Sequence, residues 1–449
     1  MLLALLLSMM LDGAAPADDA PAPAADVQVQ AQTSPLVKPA APTSPEPFKD
    51  LKFVWREHPS LRAGRNFRID FTAKMQYDVR DPGDDPQDFP TGELHRLRVG
   101  VEGEVFRHIQ FQVERELKER EVDNSQNNSN SEGKLWKDVY VEANYSNKAQ
   151  VRVGKFKIPF GLDETSGEAE LDFVYRSLAG SYLSPARDIG VMVHGRFFKR
   201  GLNYWGGWFQ QDGENARSKK VEGGDDTFAF RVTGTPLRKT RAFRNVEVGG
   251  NVALTSVSDE PFLPNGLRGR TVMSQYTFFD PMFVNGTRLR VGTDVDWTQG
   301  PMGLRAEYIY VGDDRNDQGI GNEDLNDVQS NAWYVLGTWV VTGDKKERPL
   351  EPKKGVFRGG LGAVEVAARY DTLRFSGKPG IDPPFRNSRA ETIYPNGDKV
   401  VTLGVNYYAN RWAKVQFNMI REHIEDIERS PTVDGSAFWS SVVRFQLQL

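Results

Sequence analysis

From Asn66 to the last residue, apolar and polar side chains trade places at almost every step. Phe67, Ile69, Phe71, Ala73, Met75 and Tyr77 share one parity, and Arg68, Asp70, Thr72, Lys74 and Gln76 share the other. A period of two puts successive side chains on opposite faces of a strand, whereas a helix would scatter them around its axis. The pattern recurs with Leu97, Val99 and Val101 against Arg96, Arg98 and Glu102, and with Leu289, Val291 and Val295 against Arg290, Asp294 and Asp296. Val401, Leu403 and Val405 oppose Thr402 and Asn406, and Val415, Phe417 and Met419 oppose Lys414, Gln416 and Asn418. The final run sets Val443, Phe445, Leu447 and Leu449 against Arg444, Gln446 and Gln448. An apolar strand edge of this kind invites aggregation in a soluble protein. In a closed membrane barrel the last strand pairs with the first and its apolar side faces lipid.

Strand candidates start near residues 66, 93, 107, 137, 149, 188, 201, 226, 245, 288, 301, 331, 360, 398, 411 and 436. Sixteen is an even number, as a barrel with both ends in the periplasm requires. Residues 271–279 form either another short strand or part of a loop folded inward, so eighteen is the alternative count. Connections at 107–108, 146–148, 199–201 and 410–411 are tight. Those at 81–92, 119–134, 157–188, 213–225, 313–331 and 382–397 are long and polar. Short turns on one rim and long loops on the other are the habit of outer-membrane barrels. Aromatic residues near the strand ends, among them Trp205, Trp208, Trp333, Tyr334, Trp339, Tyr407, Trp412 and Trp439, suit the lipid–water boundary.

Composition sharpens this picture. The chain has 449 residues, no cysteine, a net charge of -4 and a mean hydropathy of -0.53. Low hydropathy is compatible with a membrane barrel, because half of each strand faces water. The near-balanced charge argues against nucleic-acid binding. Absence of cysteine suits an oxidising compartment. The apolar run MLLALLLSMML, followed by Ala15-Pro16-Ala17, reads as an export signal over residues 1–17, although no Lys or Arg precedes it. Residues 18–65, rich in Ala and Pro in their first part, read as a periplasmic linker, leaving 66–449 for the barrel.

Parity also assigns the inward charges. Arg68, Lys74, Arg96, Arg98, Arg152, Arg288, Arg290, Arg305, Arg369 and Lys414 face the lumen together with Asp70, Glu102, Glu104, Glu114, Asp294, Glu307, Glu365 and Asp371. Burying such charges unpaired in a dry core would cost several kcal/mol each, which a water-filled bore avoids. That argument also disfavours a soluble glycan-binding sandwich. Catalysis is not supported: the five histidines form no H-E-x-x-H frame and G-x-S-x-G is absent. No metal or cofactor signature is present, and the acidic stretch 313–327 lacks the calcium-loop frame.

The run VRVGKFKIPFGL (151–162), then Tyr175-Arg176-Ser177, then Ser184-Pro185-Ala186-Arg187-Asp188-Ile189-Gly190-Val191, resembles the phosphate-selective porin O and P family. Trp333-Tyr334-Val335 with Thr342-Gly343-Asp344, GAVEVAARY at 362–370 and Leu403-Gly404-Val405-Asn406-Tyr407-Tyr408 add to the likeness, which covers 66–449. Leu449 departs from it, standing where Phe is usual. The resemblance implies a trimeric, sixteen-stranded porin of the outer membrane whose third loop folds into the pore. It also implies passage of small anions, phosphate being the best-known cargo, in contact with outer-membrane lipids and lipopolysaccharide.

The constriction is then expected where the third loop meets the wall. Lys155, Lys157, Arg176 and Arg187 lie at or in that loop, beside Glu164, Glu168, Glu170 and Asp172. Arg96 and Arg98, two strand steps apart on one lumen face, and Arg68 join them as candidate anion contacts. These cations either attract anions or pin the loop to the wall. Lys155 shares the parity of Val151 and Val153, so it points outward unless the strand kinks.

Overall fold

A computed structural model describes residues 51–449 except 56–57, 65, 85–89, 119–134, 200, 217–224, 261 and 433–434. The expected export signal, the linker up to residue 50 and the loop at 119–134 lie outside the described residues. The chain runs through β1 (Leu51–Trp55), β2 (Pro59–Ala63), β3 (Phe67–Asp81), β4 (Gly92–Val105), β5 (Ile109–Glu116), β6 (Trp136–Ser146) and β7 (Ala149–Lys157). It continues through β8 (Arg187–Phe197), β9 (Leu202–Phe209), β10 (Thr227–Gly234), β11 (Glu247–Val257), β12 (Gly269–Arg270) and β13 (Thr277–Phe279). It ends with β14 (Gly286–Gln299), β15 (Met302–Arg315), β16 (Leu325–Val340), β17 (Ala363–Gly377), β18 (Asn396–Tyr408), β19 (Ala413–Ile424) and β20 (Ala437–Gln448).

Sixteen of these strands, β3–β11 and β14–β20, pair antiparallel with their sequence neighbours and close on themselves. The seam joins β20 to β3 from Gln448↔Lys74 to Ser441↔Asp81. Closure leaves the final apolar strand paired, as its alternation demands. The strand starts read from the pattern fall close to the observed ones; the largest gap is at β16, which begins at Leu325 rather than near 331. Residues 271–279 belong to a separate two-stranded hairpin, β12–β13, so the wall has sixteen strands and not eighteen.

Outward side chains are apolar and exposed: Val99, Val153, Phe230, Leu254, Val291, Leu304, Val335, Leu403, Phe417 and Phe445. Inward neighbours on the same strands are polar, as with Arg98, Arg231, Arg290, Arg305, Thr402, Asn418 and Arg444. The tight connections sit on the rim that carries the start of β3 and the end of β20. At 106–108 the strands turn within two residues because Phe106 and Arg107 both take positive φ, 55° and 66°. That geometry matches the twist of a hairpin. The connection 341–362 departs from the expected alternation, being long although it lies on the short-turn rim.

Two findings modify the domain reading. The stretch expected to be linker up to residue 65 contains β1 and β2, a hairpin that continues the sheet along the first residues of β3 (Ser60↔Asp70 to Ala63↔Phe67). The lumen is also partly a packed core. Ile158, Phe160, Phe173, Val174, Leu178 and Leu183 of the 158–186 loop meet Val272, Met273, Phe278, Phe279 and Met282 of the 258–285 connection. Against them lie inward apolar residues of the wall, including Ile309, Val311, Leu373, Val400, Ile420 and Phe438.

Candidate pore constriction

The third loop leaves β7 at a kink. Gly154 has φ 132°, and a Cβ there would approach the Val139 carbonyl oxygen to 2.3 Å, so the strand can bend only without a side chain. Lys155 keeps the outward register, opposite Ile189. Its ammonium nevertheless lies 2.6 Å from Glu214, a carboxylate that also takes Lys137 at 3.2 Å. The long stem lets the charge leave the apolar face.

The loop's first turn, Leu162–Thr165, is set by Glu307 of β15. One carboxylate oxygen accepts the Leu162 N–H (2.7 Å) and the other the Asp163 N–H (3.1 Å), two donors that a helix start leaves free. The loop then crosses the lumen and is tied to the β14–β20 wall through its backbone. Arg369 donates to the Tyr175 carbonyl, Arg444 to Val174, Lys414 to Leu171 and Arg290 to Leu183. Asn418 accepts the Val174 N–H, and Asn406 donates to the Asp172 carbonyl.

The loop's free side faces β3–β8, and most of the predicted cations converge there. Arg96 reaches Glu168 of the loop at 2.6 Å, and Arg98 lies 2.8 Å from Glu116 and 3.2 Å from Glu114. Lys74 holds Glu114 from the other side at 2.7 Å. Arg176 is 3.3 Å from both Glu164 and Glu168, and Lys157 donates to the Ser166 carbonyl and stands 4.0 Å from Glu164. Arg187 forms a two-pronged pair with Asp138 of β6. Arg68 is set apart from this group, half exposed beside Asp70 at 3.0 Å. The cations of the group hold the loop and the wall, and Arg96, Arg98 and Arg187 are buried in doing so.

Lys74, Arg96, Arg98, Lys137, Lys155, Lys157, Arg176 and Arg187 are held by Glu114, Glu116, Asp138, Glu164, Glu168 and Glu214. The Arg152–Glu142 pair and the half-buried Glu102 and Glu104 bring the charges on this side close to balance. Burial pushes the Glu168 carboxyl up, but the Arg96 and Arg176 guanidiniums outweigh it and hold the group well below the usual carboxylate range. Glu168 is therefore ionised at neutral pH and acts as a fixed tether.

Below the loop, the long connection 341–362 supplies residues that sequence reasoning missed. Lys346 bridges Asp172 of the loop and Glu365 of β17; Arg348 stands 2.7 Å from Asp296 and 3.6 Å from Asp172. Burial raises the Asp172 carboxyl, yet Lys346, Arg348 and Arg305 bring it below its ordinary value. A connection too long for its rim, carrying Lys345-Lys346-Glu347-Arg348, was the available signal. A cavity of about 260 Å³ remains between its Leu350 and Glu351 and the side chains of Thr72, Lys74, Glu102 and Gln112. Glu102, Gln112 and Arg152 are half-buried, whereas Arg288, Arg290 and Glu365 on the opposite wall are buried completely. The less buried inward positions thus lie on β4, β5 and β7.

Residues 62–449 match the model of the family described as phosphate-selective porin O and P. No curated protein matches the chain. Among solved structures, in-vitro folded OmpT of Vibrio cholerae is 14% identical, with a TM-score of 0.55 and coverage of 88% of this chain and 100% of that one. Its trimer form is 14% identical, with a TM-score of 0.52 and coverage of 86% and 100%. The anion-selective porin from Comamonas acidovorans is 12% identical, with a TM-score of 0.50 and coverage of 85% and 98%. At these identities the likeness concerns the fold.

Proposed function

Because this chain belongs to the phosphate-selective porin O and P family, we propose that its outer-membrane channel prefers small anions, phosphate among them. That it is a porin of the bacterial outer membrane, a closed barrel with a lumen, is the plain part of this reading. The observation that supports the preference is the gathering of Arg96, Arg98, Lys157 and Arg176 about the free side of the third loop. Arg and Lys in a narrow bore replace part of an anion's hydration with charge and donors. Each of these cations already has a carboxylate partner, so the preference is modest.

Arg96, Arg98, Lys157 and Arg176 set the selectivity at the eyelet. Lys155 and Arg187 contribute from its flank, and Arg68 from the short-turn rim. Reversal potentials in a planar bilayer, with chloride and then phosphate as the anion, test this. A small anion preference is expected; a strong cation preference would remove the assignment. The chain works as a channel and not as a hydrolase, which assays on lipid and peptide substrates check.

The assembly is a homotrimer, a reading supported by the trimer form of the similarly folded Vibrio cholerae protein. Mass measurement of the detergent-solubilised protein tests it. Residues 1–17 are removed on export and 18–50 remain as a periplasmic linker, which N-terminal sequencing of the mature protein checks.

A further inference from the structure

The cavity of about 260 Å³ lies toward the short-turn rim, with Thr72, Lys74, Glu102 and Gln112 on its wall side and Pro349 and Leu350 opposite. The charged groups around it are not equally occupied. Asp70 takes Ser60 at 2.6 Å, Arg68 at 3.0 Å and His58 at 3.4 Å. Glu114 takes Lys74 at 2.7 Å and Arg98 at 3.2 Å. Arg411 and Glu351, also in the lining, stand 4.0 Å from each other. Glu102 is different. It is half-buried, opposite Asp70 on β3 and Gln112 on β5, and among the described residues it has neither an ion pair nor a hydrogen bond. A carboxylate partly withdrawn from water and without a partner favours the arrival of a cation.

The rest of the lining says what that cation is attached to. The Lys74 ammonium has three donors, and one of them goes to Glu114 Oε2, leaving donors for an anionic group in the cavity. Glu114 lies opposite Gly100, one inward step along β4 from Glu102. At about 3.3 Å per residue that step is roughly 6.6 Å. A span of that order is filled by two charge-assisted hydrogen bonds and an acid joined to an amine through one carbon; a long linker between the two groups would overshoot it. Gln112 adds an amide oxygen beside Glu102. Pro349 and Leu350 offer apolar surface. Leu350 is itself packed with Val340, Ala363 and Tyr408, so this side of the cavity is anchored and does not collapse into it.

We propose that this cavity is a binding station for an α-amino acid with a small aliphatic side chain. Its ammonium meets Glu102 and Gln112, its carboxylate meets Lys74, and its side chain lies against Pro349 and Leu350. The cations at the third loop draw any small acid; Glu102 tells a zwitterion from a simple anion. The site rests on the chain being a porin and not on the anion preference, which chloride and phosphate reversal potentials test separately.

The test uses the full-length porin in planar bilayers at neutral pH in potassium chloride, with leucine as the probe and interruption of the single-channel current as the readout. Leucine should block. The same carbon skeleton without its ammonium, 4-methylpentanoate, should need at least about fivefold more to block, as should the amine without its acid, 3-methylbutylamine, the effect of losing a unit charge at about 4 Å in water. Glu102→Gln should raise the half-blocking concentration of leucine by a similar factor and leave the chloride current in place. Glu102 gives up no ion pair in that exchange, and the three-probe comparison needs no variant at all. No block by leucine would overturn the proposal. So would block by 4-methylpentanoate or 3-methylbutylamine at the same concentration as leucine, since the cavity would then read one charge only. An unchanged half-blocking concentration in Glu102→Gln, with its chloride current intact, would overturn it as well.

Discussion

The β3–β8 wall and the β14–β20 wall obey the same alternation, yet their inward faces have become different materials. Along β3–β8 part of the inward charge is half-buried, as at Lys74, Glu102 and Arg152, while Arg96, Arg98 and Glu114 are buried in ion pairs. Along β14–β20 they are sealed under the third loop and the 341–362 connection, and are consumed in holding both. Arg369, Arg444 and Lys414 spend their donors on loop carbonyls, and Lys346 has a carboxylate on either side. A lumen-facing charge therefore has two possible jobs, and water access decides which one it performs. In the dry half a lost partner is a stability problem; in the wet half it is a selectivity change.

That contrast can be broken by removing a partner from each side. The largest effect is expected for Asp172→Ala, which strips the buried Lys346 and Arg348 of a shared carboxylate. Removing one member of such a group costs on the order of 3–5 kcal/mol. A lower thermal transition and a noisier single-channel trace should follow, and adding Lys346→Met should recover much of the loss. A transition unchanged by Asp172→Ala would mean that the second wall is not sealed. Next in size, Arg96→Ala with Arg98→Ala should lower the anion-to-cation permeability ratio by about fivefold, the effect of a unit charge at about 4 Å in water. An unchanged ratio would dismiss both as selectivity residues.

A finer comparison sets Lys74→Gln on the wet wall against Lys414→Gln on the dry one. The first should lower the ratio by less than about twofold, since the charge is screened. The second should leave the ratio alone and reduce stability instead, as the Leu171 carbonyl loses the Lys414 donor and keeps only the long bond from Gln416. The smallest effect is in pH. Glu168 and Asp172 have folded values below their ordinary 4.5 and 3.8, so the stability they add is complete above those values. It is lost only as pH falls through the depressed ones. The drop in unfolding temperature caused by Glu168→Gln should therefore be the same at every pH from 8 to about 5.

The wall was legible because lipid imposes one rule on every strand, and residues such as Val401, Leu403 and Val405 obey it without exception. Arg96 and Arg98 were placed correctly in the lumen by the same rule. Their partners were not legible: Glu168 comes from a loop whose path depends on long-range packing, and parity says nothing about it. The packed half of the lumen did leave a trace. Val400, Ile420, Leu373 and Ile309 are apolar on the inward parity, where an aqueous bore would ask for polar groups. Lys155 shows the opposite limit, since its register is outward while its charge is not.

The seam between β3 and β20 has a consequence for how the molecule comes into being. Gln76 bonds Gln446 across 370 residues of sequence, and Asp78 grips Arg444 across 366. Contacts so remote are slow to find and cannot nucleate the fold. The wall cannot be completed until its last segment is available, so the nascent polypeptide must cross the periplasm as an unfinished ribbon with two sticky margins. Loss of the terminal dozen residues would leave those margins permanently bare, and the cell would see an insoluble chain rather than a leaky pore.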